Sequence, residues 1–460
     1  MIDSSRYKGE KIEPKKALEI LASMLKGSKK GELLCYMQDR QISSYQDALE
    51  FLLHSAGAVL MDRSLASGAG EAGIIEGRGV HNNLCALDLL KCEVAILWGS
   101  SGFGLGEMLK DKTLIVIDPI RTEMAKRADL FLQPRPHSDL EIALLLSRFL
   151  CLEDAHDKEF CKSIEDEVEE FYELTQTLRI KPTIDRIGLS LGEIGKVLEL
   201  VGGKKCIIVV GSGVQKYRDG ADVLRSIDAF ATLLGLFGKE GSGVYYVPQS
   251  STNPLLGDLK RVPKVDVEFG EYKKLFVYAS NPLNQLPHSK RVEESLRATE
   301  IIYYGEHANA TSDMADLVIS KKEVSEEELV EFLSCELGVS VESKPVVHRG
   351  SEGEFCFLDE LDLDDSSDER LYLITPKIVE GRSSNTLYLH SSLGFADGEE
   401  VEVVSDDGVL RLRVAIDDGL RSDVAMIYST TKGINNLTPS KRSFSGNSAI
   451  FQENRVEIRR

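Results

Sequence analysis

The chain has 460 residues, too many for one simple domain and enough for two or three packed ones. Its net charge of −20, from 75 acidic against 55 basic residues, excludes a general nucleic-acid binder, which needs clustered Lys and Arg to neutralise phosphates. The N-terminus lacks the apolar core of a secretory signal, and no apolar run reaches about 18 residues, so a cytoplasmic protein without direct membrane insertion is expected.

In chain order, Pro14 to Gly27 places Ala17, Leu18, Ile20, Leu21, Met24 and Leu25 at helical spacing, and Glu32 to Met37 then reads as a strand. A helix from Ser44 to Gly57 and a short strand at Val59 to Met61 continue the α/β alternation. The small-residue stretch from Asp62 to Gly70, continuing through Gly77 to Asn83, reads as a pocket lining or as a loop with a closely packed helix. Val94 to Trp98 is a buried strand that breaks into Gly99-Ser100-Ser101-Gly102-Phe103-Gly104, passes through a short helical patch and re-enters a strand ending on Asp118. In a mononucleotide fold such glycines let the backbone approach a phosphate, the next helix start faces the anion, and the closing acid accepts from a ribose or base. The same pattern is also ordinary α/β punctuation.

Arg135 to Asp139 precede a helix from Leu140 to Leu150, with Ser138 or Asp139 as its cap. Charged helical segments follow to Leu200. The strand-into-glycine pattern returns at Lys205 to Val214, ahead of an apolar helix from Ala221 to Leu234, and again at Lys274 to Tyr278 with Ala279-Ser280-Asn281-Pro282 as its exit. A further strand, Ile301 to Tyr304, leads to Asn309 through Ile319. Ser351 to Glu369 is acid-rich and reads as a solvated linker. Beyond it, Leu371–Ile374, Leu387–Leu389, Glu400–Val404, Val409–Val414 and Val424–Tyr428 are short strands spaced by turn signals, a small β-barrel or sandwich. The eight cysteines are scattered without a C-x-x-C pair, so buried reduced thiols are expected and neither an iron–sulfur cluster nor a structural zinc site has support.

Several segments carry a resemblance to a known family. GRGVHNNLCALDLLKCEVAILWGSS resembles a segment ending in "GSNP", and IDPIRTEMAKRADLFLQPRPHSD resembles "VDPR.TETA..AD......PGTD". GSGVQKY, YASNPLNQLPHSKRVEESL with its "G.NP" likeness, TSDMADLVIS and the "VN.LT"-like Gly433 to Thr438 follow in the same order. Together they resemble the molybdopterin oxidoreductase (dimethyl sulfoxide reductase) superfamily over almost the whole chain, in particular the C-terminal region of the large peripheral-arm subunit of bacterial NADH-quinone oxidoreductase.

The resemblance implies two Rossmann-like α/β lobes and a small C-terminal barrel of double-psi type. Residues 1–60 and 265–345 would form the first lobe, 61–250 the second with nucleotide-binding-like loops, 346–370 an acidic linker and 371–460 the barrel. It implies a bis-(molybdopterin guanine dinucleotide) cofactor with Mo or W. Gly99, Ser100 and Ser101 would lie by a pyrophosphate, Asp118 and Asp139 would face guanine, and Arg121, Gly211, Ser212, Gly213, Ser280, Asn281 and Asn435 would line the rest of the cleft. Counting back from Gly77-Arg78-Gly79, the metal-ligand position falls on Ser64, followed by Leu65 where formate dehydrogenases commonly carry His. The chain starts where the cysteine-ligated iron–sulfur domain of catalytic members would end, so no cluster is expected in it. Ser101, Gly102 and Ala279 replace the Asn and Pro of "GSNP" and the Gly of "G.NP".

Two readings follow from the resemblance. In the first, the chain is a cofactor-free scaffold of a respiratory electron-transfer complex. In the second, it is an oxidoreductase subunit with Ser64 on the metal, exchanging electrons through a partner that bears iron–sulfur clusters. A generic nucleotide-binding α/β protein without pterin stands further off. Both leading readings expect a peripheral place at the inner membrane through partner subunits.

Overall fold

The computed structural model describes residues 1–37, 43–79, 84–247, 253, 255–256, 259–341, 355–363, 368–377 and 384–460. Residues 80–83 of the small-residue stretch, and 346–354 and 364–367 of the acidic linker, lie outside the described residues. The chain opens with β1 (Arg6–Tyr7), β2 (Glu10–Lys11), β3 (Leu33–Tyr36) and β4 (Val59–Leu60). It continues through β5 (Val94–Trp98), β6 (Thr113–Ile117), β7 (Leu130–Leu132), β8 (Cys206–Val210) and β9 (Gly243–Tyr246). After these come β10 (Lys274–Tyr278), β11 (Glu300–Gly305) and β12 (Leu317–Ser320). The last six are β13 (Leu371–Ile374), β14 (Thr386–Leu389), β15 (Glu400–Val404), β16 (Val409–Ile416), β17 (Val424–Ile427) and β18 (Asn454–Arg459).

Two compact units result. The first comprises Met1–Leu65, Ser250–Arg349 and Asn435–Lys441. It holds a seven-stranded sheet in the order β2-β1-β12-β11-β10-β3-β4, parallel from β12 to β4, with the β2-β1 hairpin antiparallel at one edge. Because side chains alternate along a strand, Cys35, Phe276, Tyr278, Ile302 and Tyr304 feed one core, while Leu34, Tyr36, Val277, Ile301 and Tyr303 feed the other. Continuous apolar runs are what a parallel sheet covered on both faces requires.

The second unit comprises Ala66–Gln249, Gly350–Ile434 and Arg442–Arg460. It contains a fully parallel sheet in the order β7-β6-β5-β8-β9 and a closed six-stranded barrel, β13-β17-β14-β16-β15-β18. Val94, Ile96 and Trp98 turn to the face covered by the helices Asp139–Leu152 and Gly220–Leu233. Ala95 and Leu97 turn to the other, against Leu105 and Leu109. The expected C-terminal strands are present, and β18 closes the barrel. That strand escapes a sequence reading because only Asn454 and Val456 are buried in it, while charged residues fill its outer face.

Four local expectations are corrected. The acid-rich stretch is not solvated throughout, because its Phe357 and Leu358 are buried in the core of the second unit. No helix joins β5 to β6: residues 103–111 form successive turns, and Asp111 adopts a left-handed conformation. The mononucleotide device of a helix start facing a phosphate is therefore missing there. Ser138 is the N-cap of Asp139–Leu152 but makes no side-chain cap bond, and the Asp139 carboxylate turns elsewhere. All eight cysteines are free; Cys35, Cys92, Cys161 and Cys206 are buried, yet Cys85, Cys335 and Cys356 are exposed, outside any apolar core. Among the described residues no helix is long and apolar enough to cross a membrane.

The small-residue stretch forms the helix Gly68–Arg78, packed closely on Gly220–Leu233. A Cβ on Gly73 would sit 2.1 Å from the Ala221 carbonyl oxygen. Gly73→Ala should cost about 1–3 kcal/mol by overpacking. Gly195→Ala, in the middle of the helix Leu191–Val201 with nothing within 4 Å, should gain about 0.5–1 kcal/mol. Urea unfolding of the two variants tests this opposite pair of signs; a stable Gly73→Ala would mean that the helices do not approach this closely.

Candidate functional site

The chain leaves β5 toward β6 on one side and later returns to β8 on the other, so the carboxyl ends of β5 and β8 form a topological switch point, where open α/β sheets bind ligands. Gly99 and Gly211 stand at these two exits. A Cβ on Gly211 would lie 1.9 Å from the Gly99 carbonyl oxygen, and one on Gly99 would lie 2.5 Å from Val214 Cγ1. The glycines thus let two strand exits pack backbone to backbone. Ser100 is buried and its Oγ accepts from Gly102 N within its own turn, while Ser101 and Arg121 are exposed. Ser212 is half-buried beside Gly211 and Gly213.

Asp118 and Asp139 come together at the neighbouring strand end. Buried Trp98 closes β5, and its indole Nε1 donates to Asp139 Oδ1 at 2.7 Å. Asp118 follows β6, and its Oδ1 accepts from the Ile120 amide at 2.8 Å. Burial pushes Asp118 up to about 7, and the nearby Asp139 carboxylate adds to the shift against the Ile120 bond. Burial likewise raises Asp139 to about 6, opposed by the Trp98 bond and by His137. Two desolvated carboxylates with acceptor capacity to spare suit a ligand edge that offers N–H donors.

His137 is the residue at this site that sequence reasoning passed over. It takes a left-handed φ of 62°, at the position where the family string "PGTD" has glycine. A non-glycine residue held there stores about 1–3 kcal/mol of strain. Its Nε2 lies 2.9 Å from Asp219 Oδ1, its ring stacks on Tyr217 at 4.3 Å, and its N–H donates to Tyr217 Oη. Despite burial, the Asp219 carboxylate holds the His137 proton up to about 9. The residue lines a polar cleft of about 430 Å³ shared by the sheet and the barrel, with Arg135, Arg186 and Arg455 among its walls. The available signal was a bulky residue in a glycine slot.

The first unit carries the remaining expected residues. Asn281 Oδ1 accepts from Thr311 Oγ1 at 2.8 Å, and Asn435 Nδ2 donates to the Asn284 carbonyl at 2.7 Å, so both side chains are engaged within the protein. The Ser280 hydroxyl is buried and has no hydrogen-bond partner among the described residues. Ser64 is half-buried in the segment after β4. It follows Arg63, whose buried guanidinium binds Asp47 at 2.6 Å and Glu50 at 2.7 Å. Among the described residues, no group of three or more His, Cys, Asp or Glu is placed to hold a metal ion.

Residues 105–328 match the molybdopterin oxidoreductase family model. The F420-dependent formate dehydrogenase subunit alpha of Methanocaldococcus jannaschii is 25% identical over 366 residues, covering 66% of this chain and 52% of that protein. Probable oxidoreductase YyaE of Bacillus subtilis is 22% identical over 275 residues, covering 54% of this chain and 41% of that one. The chain thus spans about half or less of these relatives' lengths. Acetylene hydratase from Pelobacter acetylenicus shares the fold, with a TM-score of 0.78 at 15% identity over 98% of this chain and 90% of that one. The family match and the formate dehydrogenase relatives support membership of the molybdopterin oxidoreductase family.

Native Asp118 keeps its proton to about 7, against an ordinary value of 3.8, so it makes the folded chain lose stability as pH rises through that window. His137 contributes stability that is complete below 6.5 and lost as pH rises through about 9. Asp118→Asn, which cannot ionise, should therefore raise the Tm of the ligand-free protein by a few degrees at pH 8 and leave it nearly unchanged at pH 4. Calorimetry at the two pH values tests this; an equal difference at both would refute the buried-carboxylate argument.

Proposed function

We propose that this chain binds the guanosine end of a molybdopterin guanine dinucleotide and serves in a molybdenum or tungsten oxidoreductase. The observation that carries the reading is the buried pair of Asp118 and Asp139 at adjoining strand exits. Each carboxylate has one oxygen engaged by the protein and further acceptor capacity, and the guanine edge offers N1–H and N2–H donors. The residues present fit that end of the cofactor, and Gly211, Ser212 and Gly213 would lie beside it.

When bound, the pterin-held metal supplies two-electron redox chemistry. Ser64 is its proposed ligand from this chain, by its place in the family pattern. Electrons would pass through an iron–sulfur-bearing partner protein.

A second reading keeps the fold without the cofactor, as a scaffold of a respiratory complex, like the C-terminal region of the large peripheral-arm subunit of NADH-quinone oxidoreductase. Its support is that Asn281 and Asn435 are engaged in internal contacts and that Gly99 and Gly211 pack on each other.

Elemental analysis for Mo and W, with fluorescence of oxidised pterin, on protein from its native host separates the two. About one metal and two pterins per chain are expected, and Asp118→Asn with Asp139→Asn should cut pterin content at least tenfold, as loss of hydrogen bonds to charged acceptors implies. Neither metal nor pterin in an intact complex would establish the scaffold.

A further inference from the structure

The loop before helix Asp139–Leu152 holds a cation where a glycine would be less strained. His137 ties the start of that helix to Asp219, the N-cap of Gly220–Leu233, and its ring lies parallel to Tyr217, 6° between planes. Two residues on, Asp139 takes the Trp98 indole proton as a hydrogen-bond acceptor. The groups facing this carboxylate are Asp118 from the end of β6, Glu141 from its own helix, and Asp219 and Tyr217 from the segment before Gly220. Glu453, ahead of β18, faces His137. Arg186 of the helix Ile180–Ile187 is paired with Glu141 at 2.7 Å. Arg135 is paired with Asp423 at 3.1 Å and the Arg455 guanidinium lies over the Tyr372 ring, while His137, two residues before Asp139, bears on its carboxylate against the surrounding acids.

We propose that His137 is a positioning residue: clamped by Asp219 and Tyr217, its imidazolium keeps Asp139 anionic beside Asp118, ready to accept from a ligand's N–H edge. The guanosine reading supplies only the ligand in this proposal. A side chain serving merely to bridge two helices would leave the ionisation of Asp139 unchanged when removed. From this left-handed backbone conformation the imidazole reaches Asp219.

Trp98 is the single tryptophan of the chain, so its emission reports directly on the carboxylate bonded to it. The whole chain is titrated from pH 3 to 9 as wild type, His137→Gly and His137→Gln, with far-UV circular dichroism as the check on folding. His137→Gly suits the left-handed backbone, and His137→Gln retains a donor for Asp219 without the charge. The wild type should show one acid transition in Trp98 emission, and both variants should move its midpoint up by at least one pH unit, a tenfold change in proton affinity. An unchanged midpoint in a folded variant, or no transition in the wild type, overturns the proposal.

GMP binding, measured by calorimetry at pH 6 and 8.5, separates the two levels of the argument. Affinity reduced about tenfold in His137→Gly at pH 6, with the gap closing at pH 8.5, supports both. Absence of GMP binding by the wild type, together with a shifted Trp98 midpoint, counts against the guanosine reading while His137 keeps its role.

Discussion

The hydrogen bond from Trp98 to Asp139 governs the arrangement of the second unit. A fully buried indole must find an acceptor for its N–H, and none is offered by the apolar residues around the middle of the parallel sheet. Asp139 supplies it from the first turn of a helix, which fixes how that helix sits over β5. The consequence is a carboxylate drawn into the interior beside Asp118, with its helix start deprived of the cap it would otherwise make. His137 then answers the resulting excess of negative charge, at the expense of a strained backbone.

Buried acids are retained when something compensates for their desolvation. Arg78 shows the structural version: its guanidinium binds Asp228 at 2.7 Å beneath the ring of Phe237, closing a charge inside the core. Asp118 has no such cation among the described residues, where its compensation is the Ile120 backbone amide. That contrast separates an ion pair that completes a core from a buried carboxylate with acceptor capacity to spare. Structural ion pairs hold their acids charged, whereas burial moves Asp118 toward neutrality.

Most of the parallel strands were legible because a sheet buried on both faces needs uninterrupted apolar runs, as in Val94 to Trp98 and Cys206 to Val210. β18 was not, since a barrel strand with a wet outer face dilutes its pattern with charges. The turns at 103–111 defeated the helical reading because Leu105 and Leu109 satisfy a helical spacing while packing from turns. Site residues were legible as types, without their partners. Asn281 could be named as polar at a strand exit, but its bond to Thr311 is set by a contact thirty positions away in the chain. His137 lay inside a segment read for its caps, and only the backbone angle marks it out.

The competing readings turn on what the strand exits can hold once the protein's own contacts are met. Close packing of Gly99 on Gly211 removes side chains from the switch point yet leaves their amides to the backbone: Gly211 N donates to Trp98 O and Gly99 N to Ile117 O, both at 2.8 Å. A phosphate at that exit would have to draw on other donors. The carboxylate end has the opposite character, since Asp118 and Asp139 each keep acceptor capacity beyond the bond the protein gives them. In the proposed reading the ligand would be held through the N–H groups of its base more than through its phosphates, the reverse of a glycine-rich phosphate loop. A scaffold without a ligand would gain stability by replacing Asp118 with a neutral residue, since burial disfavours its charge. Presence of the acid at a cost to the empty fold is what favours the proposed guanosine reading over the scaffold.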